Sequence, residues 1–524
     1  MPTQEAATPA LPDLSKLPKL VPEQEFLFSH VSTVLGPIEY REWKSQLERI
    51  HGLLSLSQVE ETFQRLSLAQ RNQSEQQAAK KENRAFYQLG QVEQASYQRL
   101  CSQVLRCNIA RTLTGESLRS FGCRLAESSL LQWFCKLDQL EAVVRIPGKS
   151  ALQRYSQWLP EAEMRQVIDR LLMAASKDEA EGRQPLELAE ALDLEAYFLD
   201  TTCVKLHIHF PVDWVLLRDA ARTLMKATML IRKRNLKVRM EEPEEFLKRM
   251  NQLCMKMTHA RRKKDAKRVR KAVLREMKKL SKIIAGHAER HRDLLRQHWQ
   301  DTDFKEGEAR QIIQRITAVL ERLPQAIKQA HERIIGERQV KSSEKILSLY
   351  EDHAAVYVRG KAEAEVEFGS QLLLGEAVSG VIVDWELVCG NPRADTKMLG
   401  RSLERMKHTS TGPAIRQVSG DRGFDSPANR ALLEKDGIYN AICPKSPAEL
   451  KKRMQDSDFA GLQQRRSQTE ARLSIFKNGF LGSPLLRKGH ENQSRAVAWS
   501  VLAHNLWVIA RLPQGQARAL AKAS

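Results

Sequence analysis

A chain of 524 residues, 42% hydrophobic and 28% charged, holds apolar material for about two to four domain cores. No run of about 18 uninterrupted apolar residues occurs, which argues against a membrane-spanning helix. Lysine and arginine exceed aspartate and glutamate by 84 − 64 = 20, so a polyanionic partner is favoured, and nucleic acid before membrane because no lipid-inserting helix is legible.

Residues 1–25, with five prolines and no basic-then-apolar layout, read as a flexible tail and not as a signal peptide. The eight cysteines form no CxxC pair, and surroundings such as "LQWFCKL" suit reduced thiols of a cytoplasmic protein better than zinc ligands. Residues 39–190 carry an all-helical pattern. Within it, helices over about 116–126 and 128–138, and a third in "IPGKSALQRYSQWL" opened by Pro147, Gly148 and Ser150, are compatible with a DNA-reading helix-turn-helix. A small helical bundle has the same pattern, and both readings stay open.

The pattern changes at 195–210, "EAYFLDTTCVKLHIHF". Phe198, Val204, Leu206, Ile208 and Phe210 share one parity, which predicts a strand, with Asp200 and Thr202 on the same face. Residues 213–340 then read as a basic helical insertion. In 261–280, eleven of twenty residues are lysine or arginine. Arg261, Arg262, Lys263, Lys264, Lys267 and Arg268 head that run, and a face so one-signed is best explained by phosphate contacts that add affinity without sequence choice.

Strands are predicted at "EKILSLYE", "EVEFGSQLLLGE" and "GVIVDWELVCG", a helix at "TKMLGRSLERM" with Asp395 as its N-cap, a strand at "IRQVSGD", and a helix at "SPANRALLEKDG" capped by Asp425. A short strand "YNAICPK", a long helix over about 458–478 and an apolar helix "SRAVAWSVLAHNLWVIARL" packed on the sheet complete an α/β domain with a mixed sheet, formed by 191–212 and 341–512. Asp384 and Glu386 are strand residues that could join an acidic cluster but read sooner as exposed edge charges, Asp213 and Asp219 as helix-start and helix-surface acids, and His207 and His209 as solvent- or DNA-facing. Gly360-Lys361 lacks the glycine-rich loop that nucleotide binding needs.

Asp421 stands out because it follows a strand directly, between Gly420 and Gly423, at a strand end where ligands gather in open α/β sheets. Adjacent strands lie about 5 Å apart, so Asp421 and Asp200 can meet if their strands are neighbours. Like charges held together call for a cation or a proton, and hard oxygen donors suit Mg²⁺ or Mn²⁺. On the long helix, Gln463, Arg466, Glu470 and Lys477 share one face, placing an acid between two bases. By spacing alone an ordinary Arg–Glu surface pair is the favoured reading.

The blocks "LTGESLRSFGCRLAESSLLQWFC", "FLDTTCVKLHIHFPVDWVLLRDAARTL", "EFGSQLLL", "GNPRADTKML", "GDRGFDSPAN" and "RRSQTEARLSIFKNG", in this order over roughly 110–510, resemble those of DDE transposases of bacterial insertion sequences, nearest to the group known as ISNCY. The resemblance implies an RNase H-like catalytic domain with a helical insertion after its first strand. It implies Asp200, Asp421 and Glu470 as catalytic, Mg²⁺- or Mn²⁺-binding acids, and Arg466 and Lys477 as phosphate-positioning bases. It further implies cleavage at element ends, strand transfer into double-stranded target DNA, action as a homo-oligomer on DNA, and a cytoplasmic, nucleoid-associated location. Gln463 stands where a related pattern has Tyr, and the insertion follows the first strand where several relatives carry it before the Glu helix. A repurposed DNA-binding protein without catalysis, or a structure-directed nuclease of the same fold, are the alternatives.

Overall fold

The computed structural model describes residues 17–21, 36–137, 143–176, 186–260, 264–361, 364–409 and 415–515. Most of the expected tail lies outside these; the short stretch 17–21 runs along the helical region, where the Gln98 side chain donates to Val21 O and accepts from Val21 N, both at 3.1 Å. The helical region comprises α1 (Ile38–Leu56), α2 (Val59–Lys81), α3 (Gln91–Thr114), α4 (Leu118–Glu127), α5 (Ser129–Phe134), α6 (Lys149–Tyr155) and α7 (Glu161–Ser176). Serines set the tight α4–α5 break. Ser117 caps α4 by accepting from Ser120 N, and Ser128, the single residue between the helices, caps α5 by accepting from Leu131 N. Phe121, Leu125, Phe134 and Leu152 anchor the three short helices in the main core.

Strand β1 (Ala196–Lys205) is the centre of a six-stranded mixed sheet. It is buried on both faces, with Asp200 and Lys205 the two residues not fully covered, so its sequence shows an apolar run more than a clean alternation. From its end the chain leaves the sheet for α8 (Asp213–Lys233), α9 (Pro243–His259), α10 (Ala266–His298) and α11 (Glu306–Ala330). These helices close on a core of their own, around Leu217, Leu224, Met250, Met277, Ile284 and Ile316. At the start of α8, Asp213 is buried and accepts from Gln329 at 2.8 Å and from Arg333 at 2.9 Å, tying the two ends of the insertion together. Asp219, expected on the surface, is buried, and it pairs with Arg218 at 3.2 Å.

The strand expected at "EKILSLYE" does not form. Its apolar residues are divided between two cores, Leu347 in that of the sheet and Ile346 and Leu349 in that of the insertion, so they present no single face to a sheet. The strand that does form there is β2 (Ala355–Lys361), which the sequence reading missed. It pairs antiparallel with the first half of β3 (Ala364–Glu376), through Ala355 opposite Gly369. The second half of β3 pairs with β4 (Ile382–Leu387), through Leu372 opposite Leu387, so β2 and β4 follow one another along one edge of β3. On its other edge β3 runs antiparallel to β1. Helix α12 (Asp395–Lys407) leads to β5 (Gln417–Gly420), parallel to β1, then α13 (Pro427–Lys435) and β6 (Tyr439–Ile442), parallel to β5. After α14 (Pro447–Arg453), α15 (Ser457–Ile475) crosses the sheet. Helix α16 (His490–Ile509) is buried almost throughout because it packs against both β4 and the N-terminal helices α1, α3 and α7. The architecture is mostly helical α/β, with one mixed six-stranded sheet and an N-terminal helical region sharing its core.

Three expectations about polar residues are corrected. Asp384 and Glu386 are not exposed edge charges. Asp384 is buried between Arg405 (2.7 Å), Arg165 (3.2 Å) and Ser402 (2.6 Å), and Glu386 faces Arg401 (3.0 Å), Arg405 and Arg393. Burial opposes ionisation of Asp384, but the two guanidiniums outweigh it and hold its pKa low. Asp395 does not cap α12, whose cap position is Ala394 without a side-chain bond. Asp425 does not cap α13 either; Ser426 does, while Asp425 binds Arg430 at 2.7 Å.

Arg405 therefore holds two core carboxylates at once. Arg405→Met keeps bulk but removes their shared cation, and the unfolding free energy is expected to fall by about 3–5 kcal/mol, read as a lowered denaturant midpoint. An unchanged midpoint would show that Arg165, Arg393 and Arg401 suffice.

Candidate active site

Leu199 lies opposite Gly420 in the parallel β1–β5 pairing, so one step along each strand sets Asp200 beside Asp421. Parallel neighbours are about 5 Å apart, which brings two carboxylates from residues far apart in sequence to one place at the sheet centre. Each is held by its own backbone: Asp200 Oδ1 accepts from Thr201 N at 2.7 Å, and Asp421 Oδ1 from Gly423 N at 2.8 Å, closing the short turn Arg422–Phe424. Glycine at 423 has a steric cause. A Cβ there would sit 2.5 Å from Asp395 Oδ2 and 2.9 Å from Asp421 Oδ1. At 420, a Cβ would meet the Phe424 ring at 3.1 Å. Both glycines make room for the protein's own side chains.

Glu470 lines the same cleft from α15, with its side chain exposed. The position of α15 is set by a buried clamp at the end of β3. Arg465 donates to Glu376 at 3.0 Å and to Ala377 O at 3.0 Å, Thr469 donates to Glu376 at 2.8 Å, and the Arg465 guanidinium lies 4.6 Å from the Phe198 ring centre. Beyond the helix, Lys477 enters the cleft and donates to Thr202 Oγ1 at 3.1 Å. Gln463 turns instead toward the sheet, donating to Ala441 O and accepting from Arg466 Nε at 3.2 Å. Arg466 does not line the cleft, although its charge acts on Asp200.

A fourth acid joins them. Asp395, at the start of α12, accepts from Thr201 Oγ1 at 2.9 Å and reaches Gly423, so it spans the chain segments that carry Asp200 and Asp421. Sequence reading missed this role because an acid at a helix start is explained by capping alone. Tyr357 was missed with its strand; its hydroxyl lies 3.3 Å from Thr201 Oγ1 in the same cleft. The cleft encloses about 530 Å³, with the acids on its floor and Lys205, Lys477 and Asn478 among its donors.

The electrostatics combine burial with like charge. Burial, then the charge of Asp421 and more weakly that of Glu470, push the Asp200 carboxyl from 3.8 to about 7. Burial and Asp421 raise that of Asp395 as well. Hard carboxylate oxygens in this situation suit a divalent cation, which would replace the missing counter-charge. Among the described residues, no three His, Cys, Asp or Glu side chains stand close enough together to hold one metal ion. Asp200 and Asp421 stand side by side, and Glu470 lines the same cleft.

The basic run is placed elsewhere. Lys264 is exposed before α10, Lys267 pairs with Glu337 at 3.3 Å, and Arg268 with Asp265 at 3.3 Å, so part of the one-signed face has local counter-charges; none of the three lines the cleft. Arg261, Arg262 and Lys263 lie outside the described residues. His207 and His209 are exposed.

Because the folded-state pKa of Asp200 is raised, its contribution to stability is full below about pH 4 and is lost as pH rises through about 7. Asp200→Asn, neutral throughout, is expected to exceed the parent in stability by a few kcal/mol above about pH 8 in chelator and to match it near pH 4. Millimolar Mg²⁺ should shrink the difference; equal stability at every pH would mean that the carboxylates do not repel. Comparison with protein-family models, with curated proteins and with solved structures returns no match.

Proposed function

We propose that this chain is a DDE transposase with an RNase H-like catalytic domain, cutting DNA at the ends of a mobile element and joining them to target DNA. The observation that carries the reading is the register that sets Asp200 beside Asp421, with Glu470 acting on the same carboxyl. A sheet with β1 at its centre, antiparallel strands on one side and parallel strands on the other, supports it. So does the formal charge of +20, which suits a long polyanion.

Asp200, Asp421 and Glu470 would hold Mg²⁺ or Mn²⁺. Bound there, such ions supply an activated water and stabilise the leaving oxygen at a phosphodiester. The chain's own side chains do the rest. Lys477 and Lys205 offer charged donors to phosphate oxygens, and the Thr202 bond keeps the Lys477 ammonium aimed into the cleft. Asp395 and Thr201 keep the two central acids in fixed relation. Hydrolysis at an element end leaves a 3′-hydroxyl, whose attack on a target phosphodiester exchanges one P–O bond for another. The basic insertion and a second copy of the chain would hold the rest of the DNA.

A second reading, a DNA-binding protein without catalysis, is favoured by two observations: no three acids stand together at metal-binding distance among the described residues, and Arg466 is engaged by Gln463 instead of facing the cleft.

The test uses DNA taken from either side of the coding region, with Mg²⁺. The parent chain should nick that DNA at a fixed end and join it to a second duplex. Asp200→Asn, Asp421→Asn and Glu470→Gln should each lower both steps by about a thousandfold or more while binding the same DNA. Cleavage that survives Asp421→Asn removes that residue from the site. Cuts without joining point to a nuclease, and binding without either step to the second reading.

A further inference from the structure

We propose that Arg111 and Arg487, brought together where the N-terminal helices meet the loop before α16, form a binding site for a phosphate group. The inference stands on these residues alone and holds whether or not the acidic cleft cuts DNA.

Arg111 lies in the last turn of α3. That helix packs against α16 and against the helical turn Phe476–Leu481, the two elements that flank the loop 482–489 carrying Arg487. The loop is pinned along its length. Leu485 N donates to Lys205 O at 2.8 Å, the Arg487 carbonyl accepts from Gln493 Nε2 at 2.9 Å, and Gly489 N donates to Glu351 at 3.0 Å. Both arginines are half-buried, and the Nε of Arg111 is covered without a hydrogen-bond partner. Neither guanidinium has an ion pair among the described residues. The acids nearest to them in sequence are engaged elsewhere: Glu116 accepts from Arg124 at 2.6 Å, and Glu491 from Arg495. Burial, and after it the charge of Arg487, lower the Arg111 pKa to about 10, and burial alone lowers that of Arg487.

Two guanidiniums drawn out of water beside one another, with no acid between them, lack a counter-charge. Elsewhere the protein supplies one, as where Arg405 faces both Asp384 and Glu386. Here it has to come from a ligand, and the half-exposed position leaves room for one to enter. A guanidinium fork donates two parallel N–H bonds to a pair of oxygens on one atom. A carboxylate is planar and meets one fork. A phosphate carries oxygens in more than one plane, so two forks can reach it from different sides, and its charge answers both. A free phosphate and a backbone phosphate of DNA share this chemistry.

The full chain is unfolded thermally in buffered chloride, and inorganic phosphate is titrated in at constant ionic strength, with acetate as the carboxylate control. Phosphate should raise the midpoint by a few degrees and saturate, whereas acetate should not move it. Arg111→Gln and Arg487→Gln should each remove the shift, and Arg487→Lys, which keeps the charge but loses the fork, should weaken it. Binding of a DNA duplex of arbitrary sequence, measured in chelator so that no cutting occurs, separates the two sources. A duplex affinity about tenfold lower in the Gln variants, with a salt slope reduced by about one, assigns the site to a backbone phosphate. Unchanged duplex affinity beside a lost phosphate shift assigns it to a free phosphate. Phosphate that acts no better than acetate, or a shift that both Gln variants keep, overturns the proposal when their duplex affinity is also that of the parent.

Discussion

The arrangement of the molecule turns on a repulsion: two carboxylates, Asp200 and Asp421, are fixed side by side at the centre of a sheet, and neither has a cation bonded to it among the described residues. Stability alone gives no reason to bury like charges together. The rest of the sheet makes their approach unavoidable, because eight register pairs with β3 on one side and four with β5 on the other fix β1 along its length. Burial first, and the Asp421 charge after it, raise the pKa of Asp200 and, further out, of Asp395. A carboxylate pair kept together in a cleft, rather than separated, is the kind of conflict that functional sites retain.

What surrounds the acids is stiff where it needs to be. Helix α15 brings Glu470 to the cleft because Arg465 and Thr469 lock onto Glu376 at the end of β3, and Lys477 reaches β1 through Thr202. Opposite, α12 is held under β4 by Arg405 and Ser402, which satisfy Asp384 in the core. Asp395 at the head of the same helix can then bond Thr201 and bear on Gly423. Buried ion pairs contribute little net stability, but they fix geometry because any shift leaves a charge unpaired in the interior.

The two cores divide the work of the chain. One is shared by the N-terminal helices and the sheet, with α16 between them and Arg165 of α7 reaching Asp384 in β4. The helical region is thus built into the sheet's interior rather than tethered to it. The insertion has its own core, and the segment 345–351 connects the two by placing successive apolar side chains in each.

Much of this was legible in the sequence. The β-branched and aromatic run around Asp200 declared a strand, Gly420 and Asp421 marked where another one stops, and the pattern around Glu470 declared a helix, because these are local properties of period and turn chemistry. Tertiary structure decided the rest. Register brought Asp200 next to Asp421; division between two cores turned "EKILSLYE" from a strand into a connector; arginines from distant helices converted Asp384 and Glu386 from edge charges into core ion pairs. Asp395, a plain helix-start acid by sequence, became a cleft residue because Thr201 and Gly423 meet it from elsewhere in the chain. Periodicity reports which face of an element is apolar, whereas pairing and charge compensation depend on contacts between residues too far apart for any local pattern to encode.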